Sequence, residues 1–400
     1  MRTEITTVDE LRAHRAAGRD LRHAVLIGLD LTGPDADALL RGTALDEALL
    51  LGCRLTPSAM KRAEASAALI FPEIPALPYR AYRSTLYTPD ELFDGFDPTV
   101  PQSYVDTLDA VVYQHVRAVG SARPDPLHAL AERLHDHAIT EALDDALDAA
   151  MAAGRAAPVA VMGGHALARC SAGYRAAAEL GRALGRSGAG FTVLTGGGPG
   201  AMEAVPLGVR FADLPDDAMT GALAELTTAP TFDTGESGES GQGGSDAIGR
   251  WLAAALRVVA THPARPAGPP RSIGIPTWFY GHEPPNAFCD AHAKYFANSV
   301  REDGLLTVAC GGVVYTPGSA GTVQEVFADY AQNHYGSVGP AAPMVFLGAR
   351  FWTEELPVAP LVRRLAEGRE VEPLILVTDS VDEAVDLLES YAAGRAGTTD

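Results

Sequence analysis

The pattern of apolar and polar residues changes near residue 158. From there on, short apolar runs alternate with segments in which apolar residues recur at helical spacing. The runs predicted as strands are residues 159–162, 191–195, 272–276, 312–316, 343–347 and 373–378. The segments predicted as helices are residues 171–187, 200–212, 287–301, 321–334, 353–367 and 380–393. Because the strands are largely apolar, this alternation predicts an α/β fold with a doubly wound, mostly parallel sheet.

This Rossmann-like domain is predicted to span residues 156–393 and to follow a mainly helical N-terminal region. Residues 1–55 are predicted as a small unit, because 21–31 and 45–55 share a loose spacing of Leu, Gly and Asp. That weak repeat indicates pentapeptide-like coils. Residues 56–155 are predicted as mainly helical, with breaks at prolines such as Pro72 and Pro78.

Two segments are predicted to lack regular structure. Residues 227–249 contain a run rich in Gly, Ser and Glu, which predicts a flexible insertion between the second and third strands. This insertion has two interpretations, a lid over a ligand site or an inert loop. The tail, residues 394–400, is predicted to be disordered.

Composition and charge narrow the function classes. The chain has 51 acidic and 31 basic residues, a net charge of −20. Such a chain repels nucleic acid and anionic membranes, so neither partner is expected. The four cysteines (Cys53, Cys170, Cys289, Cys310) are widely spaced, which argues against a disulfide framework and a cysteine-based zinc site. A signal-like segment and a membrane-length apolar run are both lacking, so a cytoplasmic location is expected.

Glycine-rich turns follow three of the predicted strands. They are Gly163-Gly164-His165, Gly196-Gly197-Gly198-Pro199-Gly200-Ala201-Met202 and Gly318-Ser319-Ala320-Gly321-Thr322. The carboxyl ends of parallel strands meet at one edge of a sheet, so these turns should converge on one crevice. Their spacing matches neither the dinucleotide fingerprint nor the Walker pattern. The crevice is therefore predicted to hold a different phosphorylated ligand.

The third turn leads into Thr322-x-x-Glu325, which has two interpretations. A glycine turn before a helix leaves backbone N–H groups free for an anion, and Glu325 would then be a carboxylate beside the phosphate. The same spacing is also that of a capping box, in which both side chains bind the first N–H groups of the helix.

The second and third turns together with Glu325 resemble the Lonely Guy family of cytokinin-activating nucleoside monophosphate phosphoribohydrolases. Gly163-Gly164-His165 and Glu283-Pro284-Pro285-Asn286 are similar to motifs of the larger bacterial nucleotide 5′-monophosphate nucleosidases of the same superfamily. The resemblance covers roughly residues 158–393. It implies hydrolysis of the N-glycosidic bond of a nucleoside 5′-monophosphate, without cofactor or metal, in a homodimer or larger homo-oligomer.

The resemblance also implies residue roles. Glu325 matches the catalytic glutamate, and the catalytic arginine corresponds to Lys294 or Arg301, with Lys294 fitting the helix position better. The residues implied to bind phosphate or nucleotide are Gly163, Gly164, His165, Gly196, Gly197, Gly198, Gly200, Met202, Glu283, Asn286, Gly318, Ser319, Ala320, Gly321 and Thr322.

Two positions depart from the family pattern, since Ser319 replaces a glycine and Gln324 replaces a glutamate. These departures and the choice between Lys294 and Arg301 leave two further functions open. In the first, the chain binds or senses a nucleotide without hydrolysing it. In the second, the chain carries a phosphorylated cofactor such as molybdopterin.

Overall fold

The structure is a computed structural model that describes residues 2–74, 77–120, 124–232, 242–263, 268–279 and 283–396. Most of the glycine-rich run of the predicted insertion and residues 397–400 of the predicted tail lie outside this range. The described chain divides into two compact units. One comprises Met1–Thr85 and Ala122–Ala142, and the other comprises Leu86–Ser121 and Leu143–Asp400.

The first unit contains a four-stranded parallel sheet in the order β1-β2-β4-β6 and a two-stranded parallel sheet, β3-β5. Its elements are β1 (Thr3–Ile5), α1 (Val8–Ala16), β2 (Ala24–Ile27), β3 (Asp30–Leu31), α2 (Pro34–Leu39), β4 (Leu49–Leu51), β5 (Arg54–Leu55), α3 (Pro57–Ala65) and β6 (Leu69–Phe71). The predicted pentapeptide-like coils are therefore wrong. Each repeated segment folds as a strand and a short strand, and a helix follows it.

The sequence repeat itself has a structural counterpart. Val25 pairs with Leu49 and Asp30 pairs with Arg54, so the same offset relates both pairs of strands. Alternate strand residues face two cores, with Leu26 in one and Val25 in the other. Because both faces are buried, the strands are continuously apolar, as parallel strands between layers are. The unit also extends past residue 55, since β6 continues its sheet.

The segment between these strands and the second sheet is mainly helical, as predicted. It contains α4 (Pro89–Leu92), a 3₁₀ helix (Pro101–Asp106), α5 (Leu108–Val119) and α6 (Pro126–Ala152). No helix in the described ranges is long and apolar enough to cross a bilayer.

The second unit is built on a seven-stranded parallel sheet in the order β10-β9-β8-β7-β11-β12-β13. Its strands are β7 (Val159–Met162), β8 (Val193–Thr195), β9 (Ser272–Gly274), β10 (Ala291–His292), β11 (Gly312–Tyr315), β12 (Met344–Leu347) and β13 (Ile375–Thr378). Its longer helices are α7 (Ala172–Arg186), α8 (Ala201–Arg210), α9 (Asp216–Leu226), α10 (Gln242–Thr261), α11 (Asn298–Val308), α12 (Ala320–Tyr335), α13 (Val358–Ala366) and α14 (Val381–Ala396). A π-helical turn (Phe351–Glu355) and a 3₁₀ turn (Glu372–Leu374) complete it. The predicted doubly wound α/β fold is confirmed.

Four predicted segments differ from the structure. The helix predicted at residues 353–367 is a π-helical turn followed by α13, which begins at Val358, and residues 394–396 of the predicted tail belong to α14. Residues 287–301 do not form one helix, because β10 pairs with β9 and the helix begins only at Asn298. Residues 284–289 and 292–296 are buried without a break, so no polar face exists for a helix to expose. The predicted insertion differs at its described end, because residues from Gln242 onward belong to α10.

Helices α7 and α8 touch at glycines. A Cβ on Gly208 would lie 1.9 Å from the Ala178 carbonyl oxygen, which cannot move without displacing α7. We expect Gly208→Ala to lower the free energy of unfolding by about 3 kcal/mol, as overpacking does. Gly221 in α9 has open space around it, so Gly221→Ala should instead stabilise by about 0.5–1 kcal/mol. Urea denaturation compares the two variants, and equal midpoints would contradict the close approach.

Candidate functional site

A cleft of about 270 Å³ lies at the carboxyl ends of β7, β8, β9 and β11. The chain order of the strands reverses between β7 and β11, the position where open α/β sheets form a crevice. Most predicted site residues line this cleft, namely Gly163, Gly164, His165, Gly196, Gly198, Met202, Glu283, Arg301, Ser319, Gly321, Thr322 and Glu325. Pro276, Thr277 and Glu302 line it as well, and the sequence did not predict them.

The other predicted residues do not line the cleft, and they are Gly197, Gly200, Asn286, Lys294, Gly318 and Ala320. Gly200 is required by the backbone conformation of the turn. Its φ is 70°, and a Cβ there would lie 2.4 Å from the Gly164 carbonyl oxygen. Only glycine therefore lets the first and second turns approach so closely.

Two helix N-termini reach the cleft without a side-chain cap. Helix α12 begins at Ala320 after Ser319, and α8 begins at Ala201 after Gly200, and neither preceding residue caps the helix through its side chain. The first N–H groups of a helix have no partner within the helix, and they carry partial positive charge. The capping-box interpretation is wrong, because α12 starts before Thr322. At α8 the Ala201 N–H donates to the Gly164 carbonyl at 3.1 Å and the Glu203 N–H to the Gly200 carbonyl at 3.2 Å, so the Met202 N–H is the donor that this helix offers to an anion. The N-terminus of α12 offers its first N–H groups as a set.

Glu325 and Arg301 face each other in the cleft. Arg301 Nη1 lies 3.9 Å from Glu325 Oε1, and the side chains are 12% and 17% exposed. Arg301 Nε donates a hydrogen bond of 2.8 Å to the Ile275 carbonyl, which fixes the guanidinium at the end of β9. Burial raises the pKa of Glu325 to about 7, Arg301 opposes this rise, and the negative charge of Glu302 adds to it. The carboxyl group therefore gains and loses its proton near neutral pH.

Glu302 is held in place by two amides. Asn298 Nδ2 donates to its Oε1 at 2.7 Å, and Gln324 Nε2 donates to its Oε2 at 3.1 Å. Gln324 thus acts as a donor to a neighbouring carboxylate. Glu302 was not predicted as a site residue, because a helix was expected at residues 287–301 and the face of α11 that meets the cleft was therefore misassigned.

The cleft is rich in carboxylates. Glu283, Glu302 and Glu325 line it together with Arg301 and His165. The half-exposed His165 has its Nδ1 3.7 Å from Glu283 Oε1. This balance of charge means that a bound phosphate depends on the helix N-termini and on Arg301 rather than on a general excess of positive charge.

Lys294 lies elsewhere, which corrects the preference for it as the cation of the site. Its side chain is 2% exposed and pairs with buried Asp109, and its Nζ lies 5.1 Å from the centre of the Trp278 ring. Asp109 also accepts hydrogen bonds from Tyr104 Oη at 2.9 Å and Trp278 Nε1 at 3.1 Å. Lys294 therefore belongs to a buried polar cluster, and Arg301 is the cation beside Glu325.

Asn286 also differs from its predicted role in binding the phosphate or the nucleotide. It is fully buried, and its amide contacts the backbone of the second glycine turn rather than the cleft. It holds the turn from behind.

No protein-family model matches the chain, and no curated protein matches its sequence. Among solved structures, the chain is similar to the molybdenum cofactor binding protein from the phototrophic bacterium Rippkaea orientalis. The two share 16% identity with a TM-score of 0.36, over 59% of this chain and 97% of that protein. No functional conclusion follows from a similarity of this size.

Proposed function

We propose that the cleft binds a phosphorylated small molecule, with a nucleoside 5′-monophosphate as the first candidate. One observation carries this proposal: the N-termini of α8 and α12, neither with a side-chain cap, meet the Arg301 guanidinium in one cleft. Backbone N–H groups at helix N-termini and a guanidinium are the groups that recognise phosphate in proteins.

Hydrolysis of the N-glycosidic bond is the second part of the proposal, and the Arg301–Glu325 pair favours it. In this reaction water adds to C1′ of the ribose, and the base leaves with the electron pair of the broken bond and takes up a proton. The products are the free base and ribose 5-phosphate. An ionised Glu325 can accept the proton of the water or stabilise the oxocarbenium-like transition state. A pKa of about 7 suits a group that performs this transfer at neutral pH.

Two non-hydrolytic functions use the same phosphate contacts. A nucleotide sensor would bind nucleoside monophosphates without releasing base. A carrier of a phosphorylated cofactor such as molybdopterin would bind inorganic phosphate weakly at the same turns and discriminate against nucleotides.

Calorimetry and chromatography on one protein preparation separate these functions. The protein is titrated with AMP, GMP, CMP, UMP and inorganic phosphate, and each nucleotide is then incubated and assayed for free base. We expect nucleotide binding that weakens about 10- to 100-fold in Arg301→Met, because a charge-assisted contact is lost. Base release supports the hydrolase, binding without release supports the sensor, and phosphate binding alone supports the cofactor carrier. Absence of binding to every phosphorylated probe would refute the proposal.

A further inference from the structure

The second glycine turn is held from the side opposite the cleft by one buried amide. Asn286 Nδ2 lies 3.0 Å from the Gly197 carbonyl oxygen, 3.3 Å from that of Gly198 and 3.1 Å from that of Met202. The backbone N–H of Asn286 donates a further bond of 2.8 Å to the Gly197 carbonyl. The Gly197 carbonyl thus accepts two hydrogen bonds from one residue.

Every polar group of Asn286 has a hydrogen-bond partner. Its Oδ1 accepts hydrogen bonds from the N–H groups of Phe288 and Cys289, each at 3.0 Å. Its carbonyl lies 2.9 Å from His292 Nε2, which must carry the proton to donate to it. Burial lowers the pKa of His292 to about 3, so this imidazole is neutral and the contact does not change near neutral pH.

The orientation of the Gly197 carbonyl determines the orientation of the next N–H group. In a trans peptide the C=O and N–H bonds point in opposite directions. The peptide between Gly197 and Gly198 directs its C=O to Asn286, and its N–H therefore points away from Asn286. Gly198 lines the cleft, and no acceptor for its N–H lies within hydrogen-bond distance among the described residues. By contrast, the Gly197 N–H donates to Thr195 Oγ1 at 3.2 Å, and the Gly164 N–H donates to the Pro317 carbonyl at 3.2 Å.

We propose that Asn286 is a positioning residue that turns the Gly197–Gly198 peptide so that the Gly198 N–H donates to the phosphate of the ligand. This inference rests on the proposed phosphate-binding function and identifies the donor in the turn that receives the ligand. Asn286 acts through the backbone and does not touch the ligand. It also ties the turn to the segment that leads into β10, so edge pairing of the sheet and ligand geometry depend on the same side chain.

Selective labelling observes the donor directly. When glycine is supplied with ¹³C at its carbonyl and with ¹⁵N, a carbonyl-filtered spectrum retains only glycines that follow a glycine, namely Gly164, Gly197, Gly198, Gly244 and Gly312. Inorganic phosphate is the probe, and calorimetry under the same conditions reports whether it binds. We expect the Gly198 amide proton to shift downfield on binding, while that of Gly312 stays in place. Gly312 is the internal control because it is the first residue of β11, at the end of the strand opposite the cleft.

Asn286→Asp tests the positioning role with little change in size. The carboxylate keeps an acceptor for Phe288 and Cys289 but places an oxygen against three carbonyls. We expect phosphate affinity to fall about 10- to 100-fold, because a hydrogen bond to a charged group is lost, and the Gly198 response to disappear. The control is Arg155→Met, which also removes side-chain donors to carbonyls, at 2.6 Å to Pro270 and 2.8 Å to Pro269, and should leave affinity unchanged.

Each outcome decides one claim. Phosphate binding without a Gly198 shift in the wild-type protein overturns the role of Asn286, even if Asn286→Asp does not fold. Unchanged affinity in folded Asn286→Asp overturns it as well. If a nucleotide binds and inorganic phosphate does not, that nucleotide replaces phosphate as the probe in both measurements. Absence of binding of inorganic phosphate and of all four nucleotides to the wild-type protein rejects the proposed function itself. The role of Asn286 is then rejected together with the proposed function, and the calorimetry shows that the absence of binding is the reason.

Discussion

Glu325→Gln is expected to abolish base release from nucleoside monophosphates while ligand binding persists. A glutamine matches glutamate in shape but cannot accept the proton of water, and losing a general base typically costs about 10²- to 10⁴-fold in rate. The substitution also removes a negative charge that lies 3.9 Å from Arg301. Arg301 is then more available to the phosphate, so the affinity for the nucleotide should stay equal or increase. Chromatography of the released base and calorimetry measure the two effects separately.

The pH profile gives the direction of the proton transfer. If ionised Glu325 is the active form, base release rises with pH up to about 7 and then levels off, because the pKa of Glu325 is about 7. The matched control is Glu302→Gln, which removes a charge from the same cleft. Since the charge of Glu302 contributes to the raised pKa of Glu325, this variant should move the midpoint of the profile to lower pH.

A Glu325→Gln protein that still releases base at the wild-type rate would exclude Glu325 from the chemistry. A rate that falls as pH rises through 7 would instead make Glu325 a proton donor. If the wild-type protein binds nucleotides and releases no base, the variant should still bind at least as tightly, and the sensor function stands.

Lys294→Met is expected to destabilise the protein by about 3–5 kcal/mol and to leave phosphate affinity unchanged. The substitution leaves buried Asp109 without its cationic partner, and an uncompensated buried charge is costly. The remaining donors to Asp109, Tyr104 Oη and Trp278 Nε1, are neutral and replace the ammonium only in part. Urea denaturation measures the loss of stability, and calorimetry below the transition measures phosphate affinity.

Lys61→Met provides the same chemical change at an exposed position of α3 and should alter stability by less than about 0.5 kcal/mol. The double variant Asp109→Asn with Lys294→Met should recover part of the loss, because no buried charge then remains. A stable Lys294→Met protein with weakened phosphate binding would reverse the assignment and return Lys294 to the site.

The local sequence is sufficient to predict the alternation of strands and helices in the second unit. A continuous apolar run such as Val159–Met162 and a glycine turn directly after it are both short-range features. Their placement at one edge follows from the geometry of parallel strands. For this reason the predicted turns at Gly163, Gly196 and Ser319 were found lining one cleft.

Other features depend on contacts between distant parts of the chain. In the first unit, the apolar segments form parallel strands because apolar side chains pack against both faces of their sheet. The spacing of Leu, Gly and Asp along the sequence does not show that both faces are buried. Asn286 was predicted to contact ligand, but its amide meets the backbone of a turn almost ninety positions earlier in the chain, at Gly197.

The sequence by itself determined the parallel sheet, the three glycine turns and Glu325, since each is encoded within a few neighbouring residues. The tertiary structure decided which cation stands beside Glu325. Lys294 and Arg301 lie in one segment of the chain. Because β10 pairs with β9, this segment is extended up to the start of α11 at Asn298. That pairing buries Lys294 against Asp109 and places Arg301 in the cleft. The physical reason is that strand pairing and burial, which act over long sequence separations, set the point where a helix begins and hence the direction of each side chain.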